Sequence, residues 1–251
     1  MAALFISDLH LDAAHPAITE QFLSFLRADA AAADALYILG DLFESWIGDD
    51  AVDTAQSAVV GALRALGDGG VPCFVMRGNR DFLFGERFEA ASGAVLIEDP
   101  IVLTLYGRRV LVMHGDALCT DDRAYQRLRA TVRDPEWQRR FLELKADDRR
   151  ALAGAARAGS RAHTAAIEYA IADVNSGSVA AALRAADADI LLHGHTHRPA
   201  VHRFEVDGRA RTRIVLGDWY RQGSVLRWDR SGYELCVLPR GAAAGIGGGP
   251  E

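Results

Sequence analysis

A chain of 251 residues, 50% apolar and 25% charged, has a globular composition and the length of one core with room for an insertion. Its net charge of −6 argues against a protein that coats nucleic acid, where Lys and Arg on phosphates dominate binding. No apolar run approaches the roughly 20 residues of a membrane-spanning helix, the acid at Asp8 comes too early for a signal peptide, and the widely spaced Cys73, Cys119 and Cys236 suggest reduced thiols rather than a disulfide framework.

Residues 3–7, 35–39 and 72–76 are short apolar runs ending in polar turns, the pattern of buried strands. Residues 19–32 and 51–67 between them are Ala/Leu-rich and long enough for helices, so right-handed crossovers and a largely parallel sheet are expected. Residues 101–105 and 109–113 flank Tyr106-Gly107-Arg108 as a hairpin. From 121 to 175 the pattern is helical. Trp137, Phe141 and Leu144 share one helix face there, and residues 121–161 hold eleven Lys/Arg against seven Asp/Glu. Strands return at 189–193, 201–206, 212–216, 224–228 and 233–238. The expected architecture is an α/β sandwich core of residues 1–120 and 176–240. A helical insertion, 121–175, is long enough to be a lid, and the Gly/Ala-rich 241–251 form a disordered tail.

Five polar segments each follow an expected strand: Asp8-Leu9-His10, Gly40-Asp41, Gly78-Asn79-Arg80-Asp81, His114-Gly115-Asp116 and Gly194-His195-Thr196-His197. Ligands of open α/β sheets bind at the carboxyl ends of strands, where these groups can converge. The two-residue spacing of Asp8/His10 and His195/His197 puts each pair on one side of an extended backbone. Carboxylate, imidazole and amide donors suit Mn²⁺, Fe or Zn²⁺. Asp8, His10, Asp41, Asn79, His114, His195 and His197 are too many ligands for one ion, whereas two ions about 3.5–4 Å apart with a shared carboxylate fit the count. His193 is not taken as a ligand, and His15, His163 and His202 are expected at the surface. Asp81 and Asp116 either orient ligand histidines or satisfy turn amides.

The order of the five blocks resembles the calcineurin-like metallophosphoesterases, a β-sandwich flanked by helices. The resemblance implies that Asp8, His10, Asp41 and His197 hold one ion, and that Asp41 bridges to a second held by Asn79, His114 and His195. Many members carry His after the Asn as a proton donor; here the position is Arg80. Arginine stays protonated and cannot act as a general acid, but it clamps phosphate oxygens. That favours a phosphoanhydride, whose leaving phosphate departs as a stable anion. Tyr37-Ile-Leu-Gly-Asp-Leu-Phe-Glu44, Trp46-Ile-Gly-Asp-Asp50, Gly78-Asn-Arg-Asp-Phe-Leu83, Leu118-Cys-Thr-Asp-Asp122, Asp173-Val-Asn175 and His193-Gly-His-Thr-His-Arg-Pro199 are similar, more narrowly, to the UDP-2,3-diacylglucosamine diphosphatases of lipid A biosynthesis.

That resemblance implies two Mn²⁺ ions, a lipid-linked nucleotide substrate cleaved at its pyrophosphate, and a cytoplasmic protein peripheral to the inner membrane. No nucleic-acid partner and no obligate protein partner is expected. Catalysis falls to Asp41, Asn79, Arg80 and His195, and substrate contacts to Asn79, Arg80, Asp122, Ser160, Thr164, position 167 and His195. The family's lysine is Ile167 here, with Arg157 and Arg161 nearby. The Trp137/Phe141/Leu144 face, flanked by Arg133, Arg139, Arg140, Arg149 and Arg150, is expected to shelter acyl chains and lie against anionic headgroups. Two rivals are a hydrolase of another nucleotide anhydride, such as a dinucleoside polyphosphate, and a metal-site scaffold without catalysis.

Overall fold

The computed structural model describes residues 1–166 and 173–240, with side chains of 1–159 and 173–240. Ile167, His163 and the tail 241–251 therefore lie outside the described residues or side chains, as do the side chains of Ser160, Arg161 and Thr164.

Strands β1 (Ala3–Ile6), β2 (Ala35–Leu39), β3 (Cys73–Met76) and β4 (Val95–Ile97) run parallel, linked by helices α1 (Pro16–Arg27), α2 (Thr54–Asp68) and α3 (Glu86–Ser92). Strands β10 (Gly223–Asp229) and β11 (Gly232–Leu238) add antiparallel beside β1, giving the order β11-β10-β1-β2-β3-β4. A second sheet has the order β5-β6-β7-β9-β8, from β5 (Ile101–Leu105), β6 (Arg108–Val112), β7 (Ile190–His193), β8 (Ala200–Val206) and β9 (Arg209–Val215). Strands β6, β7 and β9 are parallel.

Alternation along β1 shows how the layers lock. Leu4 and Ile6 face α1–α3 in a core with Phe22, Phe25, Leu63 and Phe88. Ala3 and Phe5 face the other sheet, against Leu39, Val112, Leu192 and Ile214. Helix α7 (Ser176–Ala185) covers the outer face of the second sheet through Val179 and Leu183 on Leu111 and Leu191. With both faces buried, β1, β2, β3 and β7 are nearly continuous apolar runs. Each large apolar side chain contributes about 1.5–3 kcal/mol by leaving water.

Some boundaries differ from expectation. Helix α1 starts at Pro16, whose fixed φ suits a first turn, and stops at Arg27, with a separate 3-10 turn at Ala30–Ala32. Asp53 delays α2 to Thr54: its carboxylate accepts the Gln56 N–H while the Gln56 side chain accepts the Asp53 N–H. The hairpin turn is only Tyr106-Gly107, at φ 49° and 84°, and Arg108 pairs with Leu105. Strand β4 and helix α3 were not anticipated.

Residues 123–166 supply α4 (Arg123–Val132), α5 (Pro135–Leu142) and α6 (Ala146–Ala166), with Asp122 and Asp134 capping the first two. Two of the arginines expected to lie against anionic headgroups, Arg133 and Arg149, turn inward instead. Arg149 is only 2% exposed and donates to Ile47 O (2.7 Å) and Asp50 Oδ1 (2.8 Å). Arg133 turns inward to Gly78 O at 2.9 Å. Arg139 and Arg140 pair with Glu136, and Arg150 with Asp147, within their own helices. Among the described residues no helix is long and apolar enough to cross a membrane.

Candidate dinuclear metal centre

The five polar segments converge where β1, β2, β3, β6 and β7 end. The backbone there is not extended, which corrects the expected alternation. Asp8, His10, Asp41, His195 and His197 all lie in the left-handed region, at φ between 50° and 64°. Strands β1 and β7 stop at Ile6 and His193, and the chain then curls so that the ligand side chains fold back over the strand ends. A left-handed non-glycine residue costs about 1–2 kcal/mol, and five together mark a place where function outweighs local preference. Backbone bonds between loops hold the curls: Asp8 N–H to Gly40 O (3.1 Å), His10 N–H to Asp41 O (3.0 Å) and Gly194 N–H to His114 O (2.8 Å). Glycine is required at Gly78, where a Cβ would meet Asp41 Oδ1 at 2.1 Å.

Asp41 divides the side chains into two sets. Its Oδ2 faces His10 Nε2 at 3.8 Å, and its Oδ1 faces His114 Nε2 at 3.8 Å. Around the first, His10 Nε2 and His197 Nε2 are 3.1 Å apart, and His197 Nε2 is 3.3 Å from Asp8 Oδ1. Around the second, His114 Nε2 and His195 Nδ1 each approach Asn79 Oδ1 to 2.9 Å. Asp8-His10-His197 and Asp8-Asp41-His114 are each compact enough to hold an ion. Asp8 and Asp41 are at most 2% exposed, and Asp8 Oδ1 is buried with no hydrogen-bond partner. Buried carboxylates facing ring nitrogens lack only a cation, so the donors fit a pair of divalent ions.

Charge in the centre is strongly coupled. Burial alone would make His114 less basic, but Asp41, Asp116 and Asp8 outweigh it and push its pKa up to about 9. The field that keeps a proton there would equally hold a cation. His195 is pushed down to about 4 by burial and by His114, which leaves it neutral and able to act as a ligand near pH 7. Asp81 is pushed up to about 7 by burial and by Asp41.

The open question over Asp81 and Asp116 resolves by geometry. Asp81 accepts the backbone N–H of Gly78 and Leu42, both at 2.7 Å, and so splints two ligand loops. Asp116 accepts Tyr125 OH (2.8 Å) and Arg129 Nε (2.9 Å), tying α4 to the centre. The groups that do address ligand imidazoles were not anticipated: Glu44 lies 3.0 Å from His10 Nδ1, and Asp218 lies 3.5 Å from His197 Nδ1. His193 is fully buried against Gly194 O, while His15 and His202 are exposed.

Beside the centre opens a cavity of about 610 Å³. Trp46, Phe82, Leu128, Trp137, Phe141 and Leu152 give it apolar walls, and Leu144 joins them. Asn79, Arg80 and Glu44 stand where it meets the centre, with Tyr125 and Arg157 also on its wall. The backbone N–H of Arg80 donates to Asp41 Oδ1 at 2.8 Å, and its buried Nε has no partner. Asp122 accepts the Tyr125 N–H at 2.9 Å, which caps α4 and sets the start of that helix.

An α/β sandwich with acidic, amide and imidazole side chains gathered at its strand ends defines a metal-dependent phosphoesterase scaffold. The model of the calcineurin-like phosphoesterases matches residues 1–199, and the chain belongs to that family of hydrolases, which implies divalent ions on Asp and His ligands. It is 53% identical over 242 residues to a UDP-2,3-diacylglucosamine hydrolase of Xanthomonas oryzae pv. oryzae, covering 94% of this chain and 98% of that protein. It is 51% identical over 247 residues to the hydrolase of the same name from Stenotrophomonas maltophilia, covering 96% and 100%. An archaeal phosphodiesterase structure aligns with a TM-score of 0.49 at 14% identity, covering 95% of this chain and 100% of that one.

Proposed function

We propose that this protein hydrolyses the pyrophosphate bond of UDP-2,3-diacylglucosamine to UMP and 2,3-diacylglucosamine 1-phosphate, using two Mn²⁺ ions bridged by Asp41. The observation that carries this reading is the apolar cavity that meets the candidate metal centre at Asn79, beside Arg80. A phosphate centre joined to a wide apolar chamber suits a substrate with both a pyrophosphate and acyl chains. A soluble dinucleoside polyphosphate gives that chamber no purpose. The names of relatives at 51–53% identity support the same substrate.

In this reading Asp8, His10, Asp41 and His197 hold one ion, and Asp41, Asn79, His114 and His195 the other. Bound there, the ions would activate water and neutralise phosphoryl charge. Arg80 presents an unpaired Nε at the same place and binds phosphoryl oxygens, while Asn79 and His195 flank it. No side chain needs to protonate the leaving group, because a sugar 1-phosphate departs as a stable anion. The water oxygen enters the uridine-bearing phosphate. Helices α4–α6 serve as a lid, and Asp122, Ser160 and Thr164 are proposed substrate contacts, with Arg157 or Arg161 supplying the charge absent at Ile167. The protein works on the cytoplasmic face of the inner membrane, where its substrate lies.

The test is UMP release from the lipid nucleotide with added Mn²⁺, with Asp41→Ala as the inactive control. Turnover that survives thorough chelation would refute the metal centre. Label from ¹⁸O-water recovered in the sugar phosphate rather than UMP would move the attack to the other phosphorus.

A further inference from the structure

The geometry points to a nucleobase platform at Tyr220, beside the His10–His197 half of the centre, that takes the pyrimidine of the substrate by stacking. The inference rests on the lipid-nucleotide function proposed above. The apolar cavity meets the centre at Asn79, Arg80 and Glu44. Tyr220 does not line that cavity; it stands against His10 and His197, next to where Glu44 reaches His10. Its ring lies 5.3 Å from that of His10 and within 7° of parallel, and 5.8 Å from that of His197. A substrate whose lipid half enters the cavity must place its nucleoside elsewhere around the same phosphates, and this aromatic face lies one ring beyond the ligands.

Tyr220 is 45% exposed, yet its backbone is held firmly. The neighbouring Trp219 is fully buried against Phe22 and Phe25 and donates its backbone N–H to Asp8 O at 3.2 Å. Arg240 holds the carbonyls of Trp219 and Tyr220, each at 2.8 Å, and the Tyr220 N–H donates to Asp218 Oδ1 at 2.9 Å. One segment thus anchors to the core, reaches a ligand loop and presents a ring to solvent. The exposed Arg221 beside it adds a cation of the kind that accompanies stacked bases. Stacking on such a ring needs no hydrogen-bond pattern, since every base offers a π-face.

The experiment compares binding of UMP and of ribose 5-phosphate, which lacks the base, to the Mn²⁺-loaded protein by calorimetry. The wild type is expected to bind UMP at least about fivefold more tightly than ribose 5-phosphate, as a single stacked base supplies. In Tyr220→Ala the two affinities converge, while Tyr220→Phe and Tyr220→Trp keep the preference. A ring that merely props His10 would weaken both ligands together and leave their ratio intact, which overturns the proposal. So does a wild type with no preference for UMP. Failure of the proposed activity shows separately, as absent UMP release from the lipid nucleotide by the wild type.

Discussion

Two carboxylates reach the imidazoles proposed as ligands and would set how well the centre holds ions. Glu44 and Asp218 approach the Nδ1 atoms of His10 and His197, whose Nε2 atoms face each other 3.1 Å apart. A carboxylate on one ring nitrogen fixes the tautomer and makes the other nitrogen a better donor to metal. Glu44→Gln and Asp218→Asn are each expected to lower Mn²⁺ affinity by about 10–100-fold, with the larger loss at Glu44 because it sits closer. Activity measured against Mn²⁺ concentration checks this: the half-saturating concentration rises, and thermal stability without metal is unchanged. Neither residue was legible in the sequence. The seven ligand candidates were, because their types recur after strands in a fixed order. Glu44 and Asp218 come from loops following β2 and β9, and nothing local ties either to its histidine. The conformation at these residues was not legible for a related reason: spacing of two fits an extended strand, and only the packed loops make those residues left-handed.

Among the elements, α6 is tied to the core by Arg149, the one buried side chain among its described residues, and by the ion pairs of Arg157 with Asp12 and Glu44. Arg149 passes Gly48, where a Cβ would meet its guanidinium at 2.5 Å, to reach Ile47 O and Asp50. Hydrogen bonds to charged groups contribute about 1.5–3 kcal/mol, although Asp50 is half exposed and its share is reduced by solvent screening. Arg149→Met is therefore expected to lower the thermal midpoint and to open residues 146–159 to limited proteolysis, whereas Arg150→Met does neither. The Arg149 hydrogen bond holds the Asp50 carboxyl below the usual carboxylate range. A depressed folded-state pKa gives stability that is present above about pH 4 and lost as pH falls through the lower folded value. The difference in midpoint between wild type and Asp50→Asn should accordingly shrink as the pH is taken from 6 towards 3. Composition showed the basic surplus of this segment but not its direction: on an arginine-rich helix, burial is decided by what the core offers opposite, here a carbonyl and an acid. Strands buried on both faces were legible for the opposite reason, since their pattern is internal to each. The three-residue β4, half exposed at a sheet edge, had too little pattern to find.

At the scale of the whole molecule, fold and metal are separable. The three apolar cores involve no ligand side chain, so the sandwich is expected to remain folded when ions are removed. Asp8 and Asp41 are buried beside one another among ring nitrogens, where cations would complement their charge. Ions that bind only the folded state stabilise it by mass action, by about 2.7 kcal/mol at a hundred times their dissociation constant. Dialysis against chelator should thus lower the thermal midpoint while leaving the circular dichroism spectrum folded. Added Mn²⁺ should restore both stability and UMP release.

The same separation decides what the cavity does. Its walls come partly from the first sheet's loops, through Trp46 and Phe82, and partly from α4–α6, through Leu128, Trp137 and Leu152, so it exists only where insertion and core meet. That is why the Trp137 stripe was visible in the sequence while the chamber it faces was not. If acyl chains enter it, each buried methylene contributes about 0.8 kcal/mol, close to fourfold in kcat/KM. A series of UDP-diacylglucosamines of increasing chain length should show kcat/KM climbing by up to that factor per methylene. The rise should level off once the roughly 610 Å³ is filled. A plateau lowered by Leu128→Trp would place its limit in this chamber, because that substitution takes up volume without touching the metal ligands. A series flat from the shortest chain onward would mean that the chains remain outside the protein, and the cavity would then need another occupant.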